Sequence, residues 1–154
     1  IKRLDIENID LPCASQGLIC MRGSISYGNN QKVLSEVHRI LKKDGLFIIV
    51  DSPNHNFFYY LFRFLMLFLE KEKRSKKAFK DLINKKTMRI IKKYFIVEEI
   101  NYSGHFLPLV YFINFFPKFV SIKIIKIIIR IENYFKLNEY GYKVVLKLKR
   151  KISK

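Results

Sequence analysis

Residues Gln31 to Asp51 read QKVLSEVHRILKKDGLFIIVD, and this run most restricts what the chain can fold into. Val33, Leu34, Val37, Ile40 and Leu41 recur at the spacing of one buried helix face. Ser35, Glu36, Arg39 and Lys42 point away from it. The Lys-Lys-Asp-Gly turn follows, with Gly45 expected to end the helix in a left-handed residue. Leu46 to Val50 is then apolar on both faces, as in a central parallel strand. Asp51, Ser52, Pro53 and Asn54 terminate it. A helix running directly into such a strand belongs in a parallel α/β sheet.

The rest of the chain is consistent with that unit. Residues 1 to 12 read as the end of a strand and its following loop, closed by Pro12. Leu18 to Met21 is a short apolar run expected as a buried strand, with breaks at Gly17 and at Arg22-Gly23-Ser24. Tyr27 to Asn30 is turn chemistry, with Asn30 as the expected helix cap. Phe57 to Leu69 is apolar except for Arg63, yet too short to cross a bilayer, which takes about 20 residues. Glu70 to Lys77 is a solvated charged stretch. Helices are expected at 78 to 84, from Thr87 to Lys93, and from Ser121 to Phe135. The last is Ile-rich, with Lys123, Lys126, Arg130 and Asn133 as a narrow polar stripe. A strand is expected at Phe95 to Tyr102, and a half-exposed antiparallel one at Tyr142 to Lys149, where Tyr142, Val144, Leu146 and Leu148 share a face.

The order predicts an α/β fold. It is a partial doubly wound, Rossmann-like sheet with a C-terminal antiparallel strand pair and a helical insert. At 154 residues the chain is expected to be a single domain over 1–154, with helical insertions at about 56–86 and 106–136. It begins with Ile1, and an N-terminally truncated domain is expected.

Lys and Arg outnumber Asp and Glu by 30 to 13, a net charge of +17. Such an excess suits nucleic acid or an anionic membrane surface. It equally follows from a general preference for Lys, Ile, Asn and Phe. The basic residues are spread along the whole chain without a compact motif for reading RNA or DNA, so no specific nucleic-acid partner is expected. Cys13 and Cys20 lack the spacing of a zinc site, and no metal is expected. Reduced thiols and the polar start IKRLDIENID suggest a cytoplasmic protein. The Ile-rich, Lys-edged segment adds the expectation of peripheral membrane contact.

Asp5 with Leu11-Pro12 resembles the D-x(4-5)-LP segment of the class I S-adenosylmethionine-dependent methyltransferases. Val33 to Gly45 (VLSEVHRILKKDG) resembles the helix and turn AL-x-E-h-x-R-V-L-K-P-G-G of the same family. Leu46 to Val50 resembles its fifth strand, and the pair 95–102 and 142–149 its terminal antiparallel strands. The likeness is in wording over residues 5 to 51 and in architecture beyond. Gln16-Gly17 stand where the family usually has Phe-Asp, and Lys43-Asp44-Gly45 replace Lys-Pro-Gly-Gly. The family's glycine-rich loop and ribose-holding acid do not occur in these residues.

The resemblance implies S-adenosylmethionine as cofactor and methyl transfer to a small-molecule, glycan or lipid-linked acceptor. It implies Asp5 as acceptor for the adenine amino group and Ile6 against the purine face. Met21, Arg22 and Gly23 follow a strand at the carboxyl edge, where open α/β sheets bind ligands. Gly23 would permit close approach of the cofactor, and Arg22 would pair with its carboxylate or with an anionic substrate. His55, after the fifth strand, is placed to act as a general base, as is His105 after the next strand. His38, on the helix, is expected to be structural. The alternative is a non-enzymatic basic module binding an anionic membrane surface or nucleic acid.

Overall fold

The computed structural model describes residues 4–53, 64, 82–105, 113, 117–134 and 141–152. The expectations for 1–3, 54–63, 65–81, 106–112, 114–116 and 135–140, His55 among them, lie outside the described residues.

The elements run β1 (Gln16–Arg22), a 3-10 turn (Ile25–Tyr27), α1 (Asn30–Ile40), β2 (Leu41–Asp51), α2 (Lys85–Tyr94), β3 (Phe95–Ser103), α3 (Lys118–Tyr134) and β4 (Lys143–Arg150). The sheet order is β1-β2-β4-β3. β1 and β2 are parallel, with Ile19 opposite Phe47 and Met21 opposite Ile49. β4 inserts antiparallel between β2 and β3. This is the expected part of a doubly wound sheet with a terminal antiparallel pair, and α3 is the helical insert between β3 and β4.

Side-chain alternation explains which face is covered. Phe47 and Ile49 of β2 and Val144, Leu146 and Leu148 of β4 project to one side. There they meet Val33, Leu34 and Val37 of α1 and Ile91 of α2, and all are essentially inaccessible to water. On the other side Leu46, Ile48 and Val50 are only half-covered. Leu18 of β1 is 61% exposed. The expectation of a buried strand at Leu18 to Met21 is therefore corrected. In the sheet of the described residues β1 is an edge strand, and only Ile19 and Met21 of that run turn toward the helix layer.

Three helix boundaries also move. The cap of α1 is Asn29, not Asn30: its side chain accepts from Gln31 N–H at 3.0 Å and Lys32 N–H at 3.3 Å. Asn30 instead donates from Nδ2 to Thr87 Oγ1 at 3.0 Å. Likewise α2 starts at Lys85, before the expected Thr87, and Asn84 caps it by accepting Thr87 N–H at 3.0 Å. α1 ends at Ile40, and Gly45 lies inside β2, outside the left-handed region. Leu41 N–H still reaches Val37 O, and Arg150 Nη1 donates to Leu41 O at 2.7 Å. A carbonyl at the helix end is thus satisfied from β4, and no left-handed glycine is needed to close the helix.

Candidate functional site

The carboxyl edge of the parallel pair β1–β2 is where an open α/β sheet takes ligands. β1 ends at Arg22, and Gly23 follows at φ 61°. Its N–H donates to Val50 O at 2.9 Å, tying the turn to β2. A side chain here would be strained by the backbone. A Cβ would nevertheless meet nothing within 4 Å, so the space beside Gly23 is open. Arg22 is exposed at the same edge. Met21 is different: its side chain is 8% exposed and belongs to the core.

The loop from Asp5 to Pro12 lies along α1 and the turn before it. Asp5 is exposed, and its Oδ1 accepts Glu7 N–H at 2.9 Å. Asn8 N–H returns to Asp5 O at 3.2 Å, closing a tight turn. Ile6 is half-buried and packs on the core beside Gly28. A Cβ on Gly28 would stand 2.9 Å from Val33 Cγ2 and 3.2 Å from Ile6 Cδ1. Gly28, read from sequence only as turn chemistry, is what lets the loop lie this close.

Helix α1 holds that loop at two points. At its N-terminus, Glu7 Oε1 accepts Asn29 N–H at 2.7 Å, and Glu7 Oε2 lies 3.6 Å from Lys32 Nζ. At its C-terminal end, Glu36 and Arg39 form an i,i+3 pair at 2.8 Å. Glu36 Oε2 accepts Ile9 N–H at 3.1 Å. Arg39 donates to Ile9 O at 2.7 Å, to Leu11 O at 2.8 Å and toward Cys13 Sγ at 3.6 Å. The hydrogen bond from Arg39 holds the Glu36 carboxyl below its ordinary value. Partial burial opposes this, and the Ile9 N–H and the Arg39 charge add to it. The same bond raises Arg39 above its ordinary value. Glu36 and Arg39 were read as outward-pointing residues. They do leave the core, but the loop comes to meet them. The Glu-x-x-Arg spacing was the available signal.

The structure thus places Ile6 and Glu7 against the Gly28–Asn29 turn, with Asp5 exposed beside them, and sets Arg22 and Gly23 at the end of β1. Met21 is with them only through its main chain. The histidines part company. His38 donates from Nε2 to Lys151 O at 3.0 Å and stands 5.8 Å from the rings of both Tyr94 and Phe95. That is the expected structural role, pinning the segment after β4 to α1. His105 follows β3, with Nδ1 3.1 Å from Glu132 Oε1. Among the described residues no group of three or more His, Cys, Asp or Glu gathers as a metal site.

A cavity of about 450 Å³ opens between α2 and the ends of β2, β3 and β4, floored by Pro53, Ile83, Met88 and Tyr102. Lys85, Arg89 and Lys92, at i, i+4 and i+7 of α2, rim it. An apolar floor under three cations suits a ligand with an anionic group.

No family model and no curated protein matches the chain. Solved structures do. An S-adenosylmethionine-dependent methyltransferase from Thermotoga maritima is 20% identical, with a TM-score of 0.53 over 95% of this chain and 61% of its own. Geranyl diphosphate C-methyltransferase from Streptomyces coelicolor A3(2) is 10% identical, with a TM-score of 0.59 over 97% of this chain and 54% of its own. The PH0226 protein of Pyrococcus horikoshii OT3 gives 15% and 0.53 over 96% of this chain. The chain spans 57% of the length of that protein, and a similar share of the other two. At these identities the likeness speaks for the fold, and it agrees with the strand order and terminal antiparallel pair described above. This chain has the fold of the class I S-adenosylmethionine-dependent methyltransferases, over the part that runs from a parallel strand pair to the C-terminal antiparallel strands.

Proposed function

We propose that the chain is part of an S-adenosylmethionine-dependent methyltransferase acting on a small-molecule, glycan or lipid-linked acceptor. The observation that carries this reading is the sheet order β1-β2-β4-β3, with its terminal antiparallel pair, in a fold shared with methyltransferases over nearly the whole chain. A geranyl diphosphate methyltransferase of similar fold has been solved with the cofactor itself, and another with S-adenosyl-L-homocysteine.

The residues present suit one side of that cofactor. Asp5 offers an exposed carboxylate whose Oδ2 can accept the adenine amino group while Oδ1 holds the turn. The purine face would lie along Ile6. The open space at Gly23 gives the backbone approach, Met21 contributes its main chain only, and Arg22 would pair with the cofactor carboxylate. The six glycines include no Gly-x-Gly, so the glycine-rich approach is not among these residues.

When bound, S-adenosylmethionine supplies a methyl group activated for in-line displacement. The protein's share of such a reaction is alignment and exclusion of water. The doubly clasped 5–13 loop and the cation-rimmed cavity fit that share. His55 is the proposed general base that takes the acceptor's proton.

The test is calorimetric titration of S-adenosyl-L-homocysteine into the parent chain, Asp5→Ala and His38→Ala. A hydrogen bond to a carboxylate is worth roughly 1.5–3 kcal/mol, so Asp5→Ala is expected to weaken binding about 10- to 100-fold. His38→Ala is expected to lower the melting temperature and leave affinity in place. Equal affinity for Asp5→Ala and the parent would remove the adenine assignment.

A further inference from the structure

Helix α3 (Lys118–Tyr134) has more apolar surface than the fold uses. Its inner side, Val120, Ile124, Ile125 and Ile128, is half-buried. Its outer side leaves Phe119 67%, Ile122 54%, Ile127 54% and Ile129 51% exposed, with Tyr134 at 83%. A helix apolar over most of its circumference is ordinarily covered over most of it.

Charge on α3 is as one-sided as exposure. Lys123, Lys126 and Arg130 stand at i, i+3 and i+7, one exposed stripe, with Lys118 exposed at the start. Ile122 and Ile129 border the stripe on one side and Ile127 and Tyr134 on the other. The one acid of the helix, Glu132, is turned inward. Its Oε1 accepts Gly104 N–H, His105 N–H at 3.2 Å, and His105 Nδ1 at 3.1 Å. These contacts fasten α3 to the end of β3 and leave only cations facing out.

We propose that the outer side of α3 is a docking surface for an anionic lipid bilayer. Phosphate headgroups would meet the central cations, and the bordering Ile and Phe side chains would reach the upper acyl region. Lys and Arg stems lie along apolar surface while their charges reach headgroups. Among the described residues no helix is long and apolar enough to cross a membrane. At 17 residues α3 measures about 25 Å, less than the roughly 30 Å hydrocarbon core. The seat is therefore in the plane of the surface and shallow. An acidic protein or a nucleic acid would match the cations but not the paired apolar borders. This inference does not depend on methyl transfer.

The experiment is co-sedimentation of the chain with vesicles of phosphatidylcholine alone, and of phosphatidylcholine with about 30% phosphatidylglycerol, at low and high salt. Binding is expected to the anionic vesicles only, weakening steeply with salt. Each cation near such a surface is worth roughly fivefold in partitioning, so Lys123→Gln/Lys126→Gln/Arg130→Gln should lower it about 100-fold. The control Lys42→Gln/Lys43→Gln/Lys93→Gln removes equal charge from exposed positions elsewhere and should cost much less. Ile122→Ser/Ile129→Ser should also weaken binding. Emission of a Phe119→Trp variant should shift to the blue on anionic vesicles, while Tyr27→Trp should not shift; this reads docking without relying on the triple variant's folding. Equal losses from the two triple variants would reduce the effect to net charge and overturn the proposal. So would loss of RNA-oligonucleotide binding in the α3 variant with vesicle binding unchanged, or unshifted emission from the Phe119→Trp variant.

Discussion

Helices α1 and α3 carry opposite lessons. In α1 the residues divide cleanly. Val33, Leu34, Val37 and Ile40 enter the core, while Glu36 and Arg39 on the flank are spent on the Ile9–Cys13 loop. The chain itself uses both sides of this helix. In α3 the apolar residues go round the cylinder, and the one acid is drawn inward to Gly104 and His105. Among the described residues of α3, one side is half-buried and the other exposed. α1 thus serves the interior and the candidate site, and α3 faces outward.

The sharpest way to break this contrast is truncation on each helix. Leu34 is fully buried against the sheet, so Leu34→Ala is expected to cost about 3 kcal/mol of unfolding free energy. Ile127→Ala on the outer side of α3 is expected to change stability by less than about 0.5 kcal/mol in the absence of lipid. Denaturant unfolding checks both. Comparable losses would mean that the exposed side of α3 is packed in solution.

A second, smaller effect concerns the clasp. Arg39→Ala removes the donors to Ile9 O and Leu11 O, and is expected to speed amide exchange across residues 5 to 13 by about tenfold, with β2 amides unchanged. Uniform acceleration would show a global loss instead of a local one.

The clasp also sets a pH dependence. Because the folded Glu36 carboxyl titrates below its ordinary value, its stabilising contribution is fully present above that ordinary value. The contribution fades as pH falls through the lowered folded value. Glu98 is lowered likewise, first by its hydrogen bond from Lys149, so the β3–β4 ion pairs weaken over the same acid range. Carboxylate NMR titration of Glu36 should show a midpoint below that of a free glutamate, and Arg39→Ala should raise it.

The smallest effect is at Ala14, a non-glycine residue at φ 49°. Left-handed geometry costs an alanine roughly 1 kcal/mol, so Ala14→Gly is expected to stabilise by up to about that amount. Thermal melting of the two proteins decides it.

How much of this was legible in the sequence depends on which force set each feature. Hydrophobic periodicity carried the pattern of α1, the apolar run of β2 and the alternation of β4, because burial against a sheet leaves a one-dimensional trace. Boundaries set by hydrogen bonds from distant residues left none. Arg150 reaching Leu41 O, and Asn30 joined to Thr87, bring together positions 109 and 57 residues apart in sequence. The exposure of Leu18 was also illegible, since a strand's place at the sheet edge is a property of topology. At the candidate site Asp5 and Ile6 are candidates from the resemblance in wording, and Arg22 and Gly23 from their place after a strand. The Glu-x-x-Arg spacing marks the Glu36–Arg39 pair itself, but its partners in the loop and the close approach at Gly28 depend on the loop's path, which no local pattern encodes.

The most direct test of the account is an amide chemical-shift map of the labelled chain titrated with S-adenosyl-L-homocysteine to millimolar concentration. Binding weaker than about 100 μM is expected, since no Gly-x-Gly loop is present to hold the ligand. The shifts should concentrate at Asp5 to Glu7, Arg22 to Ser24 and Gly28, with α3 silent. Shifts confined to other parts of the chain, or none at millimolar ligand, would contradict the placement of a cofactor site at the end of β1.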